Sequence, residues 1–189
     1  SVVRVNRLDE AQILRTLDQG ASAVMIPHVI TTADAELAAS ACKYPPNGVR
    51  GVAGGRRAYG VENYFQKADE QVQCLALIED FEAIANLREL TQVDGIDVFY
   101  VAPSDMAASM GHTGDPGHPD VQRSIEGAIG QIVDAGRVAG TLVNDDNLDQ
   151  FLSMGVRCVG VPWQLWLKDS SATFLSRVTA ASGALKGSV

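Results

Sequence analysis

Two apolar runs in this chain end in carboxylates. "QCLALIED" leads to Glu79 and Asp80, and "VFYVAPSD" leads to Asp105. Carboxylate oxygens delivered at a common edge suit a hard divalent cation. Mg2+ and Mn2+ sit on one or two carboxylates, with water and substrate oxygens completing the shell. Without a cation, two carboxylates at a low-dielectric strand end repel, and one stays protonated. The competing reading is that each acid caps the helix after it; Asp105 precedes "MAASMG" and fits an N-cap. Arg4 ends "VVR" and could grip a substrate carboxylate through two parallel hydrogen bonds, or pair with a neighbouring strand's acid. His28, in "IPHV", fits a general base or a hydrogen-bonded structural residue.

The elements that must carry these residues are six short, β-branched runs: 2–6, 23–29, 74–79, 96–102, 138–144 and 156–163. Most are continuous apolar blocks, the mark of parallel strands buried on both faces. Helical patterns lie between them. "LDEAQILRTLDQG", "FEAIANLRELTQVDG", "HPDVQRSIEGAIGQIVDAG" and "DDNLDQFLSMG" each end on glycine, which caps a helix C-terminus in the left-handed conformation. Repeated β-α units with short connections predict a parallel α/β sheet, either open and doubly wound or part of a (β/α)8 TIM barrel. One domain, 1–189, is expected. Ligands of such sheets bind at the carboxyl ends of the strands. That rim collects Arg4, Asn6, His28, Glu79, Asp80, Ser104, Asp105, Asn144 and Asp145.

Composition narrows the partners. The chain has 189 residues, 46% hydrophobic, and a net charge of −8, which disfavours nucleic acid. No run has transmembrane length and no signal peptide is evident, so no membrane partner is expected. Three widely spaced cysteines without metal spacing read as free thiols in a reducing cytoplasm. The start, "SVVRVN", lacks Met and already lies in a strand-like run, so the chain reads as a piece of a longer fold. The long segment 43–67 reads as an ordered functional loop. Its GxxGG element with Arg50, Arg56 and Arg57 suits either distal carboxylate or phosphate recognition or a solvated loop. His112 and His118 read as surface or loop-packing residues. Trp163 and Trp166 read as core or subunit contacts.

"VVRVNRLDEAQILRTLDQGASAVMIPHV", "YPPNGVRGV", "LIED", "VAPSDMAASMGHTGDPGHPDVQ" and "DAGRVAGTL" together resemble the HpcH/HpaI aldolases, over nearly the whole chain. The resemblance implies a TIM barrel of the phosphoenolpyruvate/pyruvate type, with about six of its β-α units here. It implies a carbon–carbon lyase that uses Mg2+, Mn2+ or possibly Co2+ to stabilise the enolate of pyruvate, a 2-oxo acid, and adds or releases an aldehyde. Glu79 and Asp105 match the metal ligands. Arg4 matches the arginine facing the developing charge, and Ser104 the position whose backbone N–H touches the pyruvate carboxylate. Asp18, in "LDQGA", matches an acid that tunes the catalytic base. The bland alternative for Asp18 is an exposed residue in a last helical turn. The resemblance also implies a homo-oligomer in which the last helix, within 167–185, packs on a neighbour. Three departures stand out. The family's histidine base lies upstream of the Arg4 strand, before this chain begins. Leu77 replaces a glutamine that contacts substrate, and "GVPWQLW" replaces a stretch with glycine and aspartate. Related CoA-ester or citrate lyase-type barrel enzymes, or a non-catalytic barrel remnant completed by another chain, are the alternatives.

Overall fold

A computed structural model describes residues 1–53 and 55–186, so Gly54 of the GxxGG element lies outside the described residues. The six apolar runs form strands β1 (Val2–Arg4), β2 (Ala23–Ile26), β3 (Gln73–Ile78), β4 (Val98–Val101), β5 (Ala139–Leu142) and β6 (Cys158–Gly160). All neighbours are parallel, in the sequential order β1-β2-β3-β4-β5-β6. These are six consecutive staves of a TIM-type barrel. Between them run α1 (Glu10–Asp18), α2 (Thr32–Cys42), α3 (Tyr64–Ala68), α4 (Phe81–Ala85), α5 (Leu87–Leu90), α6 (Pro103–Ser109), α7 (Pro119–Asp134) and α8 (Leu148–Ser153). The last helix is α9 (Trp163–Lys186).

Both faces of β2, β3, β4 and most of β5 are covered, which is why these sequences do not alternate. Val24, Ile26, Cys74, Ala76, Ile78, Phe99 and Val101 face the helix layer, in one cluster with Ile13 and Leu17 of α1 and Ile125, Ile129 and Ile132 of α7. The opposite face carries Ala23, Leu75, Leu77, Val98 and Tyr100. Tyr100 fills much of that side. The glycines opposite it, Gly140 and Gly160, leave room that a Cβ would take from the ring and its hydroxyl.

Local chemistry sets the helix ends. Asp9 caps α1 by accepting from the Gln12 N–H at 2.8 Å. His118 caps α7 through Nδ1, with Pro119 in the first turn. Its ring also stacks on His112 at 3.7 Å between centroids, a loop-packing role. Helix α2 has no run of large apolar residues, since its buried face is Ala35, Ala38, Ala39, Ala41 and Cys42. The single helix expected over 81–95 is corrected to two. The chain breaks at Asn86, whose Nδ2 donates to the Ile30 carbonyl at 3.0 Å and anchors it to the β2–α2 turn. Helix α9 begins at Trp163, earlier than the sequence suggested. Trp163 and Trp166 are exposed on it, at 61% and 59%, and so are not core residues of this chain. Side chains from Gly183 onward, including Leu185, lie outside the described residues.

Candidate metal and substrate site

Parallel register aligns the strand tips. Arg4 pairs with Met25, Ile26 with Ala76, and Ile78 with Val101. Glu79 follows β3 directly and is buried, with 1% of its surface exposed. Its Oε1 accepts from the His28 backbone N–H at 3.0 Å. Its Oε2 is buried and has no hydrogen-bond partner. Asp80 occupies the N-cap position of α4, as its place after the strand suggests, yet makes no capping bond. Its Oδ2 lies 3.0 Å from His28 Nδ1, and Ser109 Oγ accepts the Phe81 N–H instead.

Asp105 sits in the first turn of α6, whose N-cap is Ala102, so the N-cap reading of Asp105 does not hold. Its carboxylate is exposed at the same rim. Burial raises the Glu79 pKa above its ordinary value, and the Asp105 charge pushes the same way. The His28 N–H, the His28 ring and the Arg4 guanidinium oppose that rise. Arg4 is exposed and forms no ion pair among the described residues. Ser104 neighbours Asp105 and is exposed. The His28 pKa is raised, chiefly by its hydrogen bond to Asp80.

The rim therefore brings His28, Glu79 and Asp80 into contact, with Arg4 and Asp105 near enough for their charges to act on Glu79, and with Ser104 next to Asp105. The donor set fits a hard cation: a buried carboxylate oxygen without a partner, a second carboxylate open to solvent, and a cationic side chain that answers their charge. Atoms of His28, Glu79 and Asp80 also lie within 4.8 Å of one another. The sequence placed all three at strand ends but could not show that His28 reaches across to both acids.

Asp18 is not brought to this rim. Helix α1 runs back against the strands, so its last residue lies at the other edge of the sheet. There Asp18 Oδ1 accepts from Arg50 Nη2 at 2.7 Å. The Arg50 side chain is fully enclosed and lies 4.5 Å over the Tyr44 ring. Arg50 is therefore not a solvated loop residue; its Nε and Nη1 are buried without a partner. Arg57 donates to the Ala21 carbonyl at 2.9 Å. Leu77 is buried on the inner face of the sheet, beside Leu75 and Tyr100.

The family model for HpcH/HpaI aldolase/citrate lyase matches residues 1–165. The chain belongs to this family. It is 42% identical over 165 residues to a hydroxypyruvate/pyruvate aldolase of Pseudomonas aeruginosa, an alignment covering 85% of this chain and 62% of that protein. It is 40% identical to a 4-hydroxy-2-oxo-heptane-1,7-dioate aldolase of Klebsiella pneumoniae, with the same coverage of 85% and 62%. This HpcH/HpaI chain thus spans just under two thirds of the length of these relatives. A solved HpcH/HpaI aldolase/citrate lyase family protein of Burkholderia cenocepacia superposes with a TM-score of 0.88 at 32% identity. That match covers 94% of this chain and 73% of the other.

Proposed function

We propose that this HpcH/HpaI chain carries the cation and 2-oxo acid site of a metal-dependent aldolase that makes or breaks a carbon–carbon bond next to pyruvate. The observation that carries the reading is Glu79: a buried carboxylate whose Oε2 has no partner, at a rim shared with Asp105 and Arg4. Glu79 and Asp105 would hold Mg2+, Mn2+ or Co2+. A bound cation supplies Lewis acidity toward the keto oxygen of the 2-oxo acid. Arg4 supplies a fixed positive charge where negative charge develops on the substrate. The Ser104 backbone N–H, in the first turn of α6, has no carbonyl one turn earlier within its helix and can donate to the substrate carboxylate. The second substrate is an aldehyde. The names of the two curated relatives favour an aldolase over a citrate lyase. A cytoplasmic setting is consistent with three free cysteines, and assembly into a homo-oligomer with the exposed α9.

The test is Mn2+ titration in the presence of pyruvate. We expect saturable binding in the parent chain, and a loss of about 100-fold or more in affinity for Glu79→Ala, since a ligand is removed rather than reoriented. Unchanged binding in Glu79→Ala would sink the assignment.

A further inference from the structure

We propose that His28 is the positioning residue for Glu79: its left-handed backbone holds Oε1 with the N–H and leaves Oε2 as the oxygen offered to the cation. The inference rests on the cation-site reading above. It starts from an unusual backbone. Strand β2 stops at Ile26, and the chain must turn outward before α2 begins at Thr32. At His28 the turn takes φ to 54°, one of two positive values at non-glycine residues among the described ones. Side chains with a Cβ rarely adopt this region, and such residues persist where the surroundings hold them.

Here the surroundings are the two consecutive acids that follow β3. The N–H of His28 donates to Glu79 Oε1 at 3.0 Å, and its Nδ1 lies 3.0 Å from Asp80 Oδ2. A residue's φ sets the angle between its own N–H and its own side chain. The left-handed value splays them, so that one residue grips both carboxylates. The consequence falls on Glu79. With Oε1 bound to a backbone donor, the carboxylate cannot spin freely about its last bond. Oε2 is left buried without a partner. That arrangement specifies one-oxygen ligation. Within His28 the backbone N–H makes the hydrogen bond to Glu79, while the ring Nδ1, 3.0 Å from Asp80 Oδ2 and 3.5 Å from Glu79 Oε1, ties the turn to both acids.

Two measurements test this. The chain has three histidines, so selective 15N-histidine labelling gives a sparse amide spectrum. The His28 amide peak should move in Glu79→Gln without any metal present; an unmoved peak overturns the inference. The second compares Mn2+ affinity in variants shown by thermal scan to be folded. His28→Gly keeps the N–H and adopts positive φ without strain, so it should lose clearly less affinity than a variant that disfavours positive φ, any loss coming from the missing ring. His28→Val disfavours positive φ and should weaken binding by about tenfold or more, the usual cost of disturbing a group that orients a ligand. Equal losses in the two variants, or none in His28→Val, would overturn the backbone role. If the parent chain binds no Mn2+, the cation reading fails, and the amide shift still decides whether His28 holds Glu79.

Discussion

Glu79 is a buried carboxylate with Oε1 held by a backbone N–H and Oε2 without a partner. Its folded pKa is raised, chiefly by burial. Between the ordinary value of 4.5 and that raised value, the folded state binds more protons than the unfolded state. Stability linked to this group is therefore fullest in acid and falls as pH rises through the folded pKa. Glu79→Gln keeps an acceptor for the His28 N–H and removes the buried charge, so it should raise the melting temperature of the chelator-treated protein at neutral pH. The gain should vanish in acid; melting curves across pH would show it. A different balance governs Asp18. Its removal strands the guanidinium of Arg50, whose side chain is wholly enclosed. Asp18→Ala should cost about 3 kcal/mol in urea melts, since breaking a buried pair leaves an uncompensated charge. Mn2+ affinity should hold, because this pair lies at the far edge of the sheet. The contrast explains what could be read at this scale. The placement of Glu79 and Asp105 just beyond β3 and β4 was legible because each follows an apolar run. The Asp18–Arg50 pair was not, because its members are 32 positions apart and meet only through packing.

At the scale of elements, the strands were the legible part. A strand covered on both faces has nowhere to place a polar residue, so β2, β3 and β4 read as unbroken apolar blocks. Helix α2 was hidden for the opposite reason. Its contact face is alanine, which packs it close to the sheet without producing a large-residue stripe. The remaining signal was Thr31 and Asp34, which form a reciprocal capping box. The break at Asn86 was also beyond the periodicity, since a side chain bonding to Ile30 in a distant turn decides it. Side-chain volume across strands was equally unreadable. Tyr100 needs space that β5 and β6 provide only by carrying glycine. A Cβ at Gly140 would lie 2.5 Å from Tyr100 Cδ2 and 3.0 Å from the Cys158 carbonyl oxygen. Gly140→Ala should therefore destabilise by about 1–3 kcal/mol through overpacking. Replacing Tyr100 with Leu in the same chain should recover part of that loss in thermal melts. No recovery would mean that the Cys158 carbonyl contact dominates.

The whole molecule leaves one feature that its own packing does not use. Helix α9 has 24 residues, about 36 Å at 1.5 Å per residue. Along it Trp163, Leu167, Phe174 and Val178 are all exposed, at 61%, 54%, 63% and 46%. Their spacing of four, seven and four residues puts them on one face, and Trp166 flanks it. None of these side chains belongs to either buried cluster. Covering such a stripe gains roughly 1.5–3 kcal/mol for each large side chain fully buried, while leaving it wet gains nothing. The face carries two apolar patches, Trp163 with Leu167 and Phe174 with Val178, separated by Ser170 and Ser171, and exposed patches of this kind suit association with a partner. No helix among the described residues is long and apolar enough to cross a membrane. A second copy of the same chain can bury the face by offering its own. Sedimentation velocity over a range of concentrations should therefore show assemblies larger than the 20.0 kDa chain. Phe174→Glu combined with Val178→Glu should shift the distribution toward the single chain while leaving Mn2+ affinity intact, because α9 contributes none of the residues placed around Glu79. A single-chain species at every concentration, or assemblies indifferent to the two charges, would show that this face is not where copies of the chain meet.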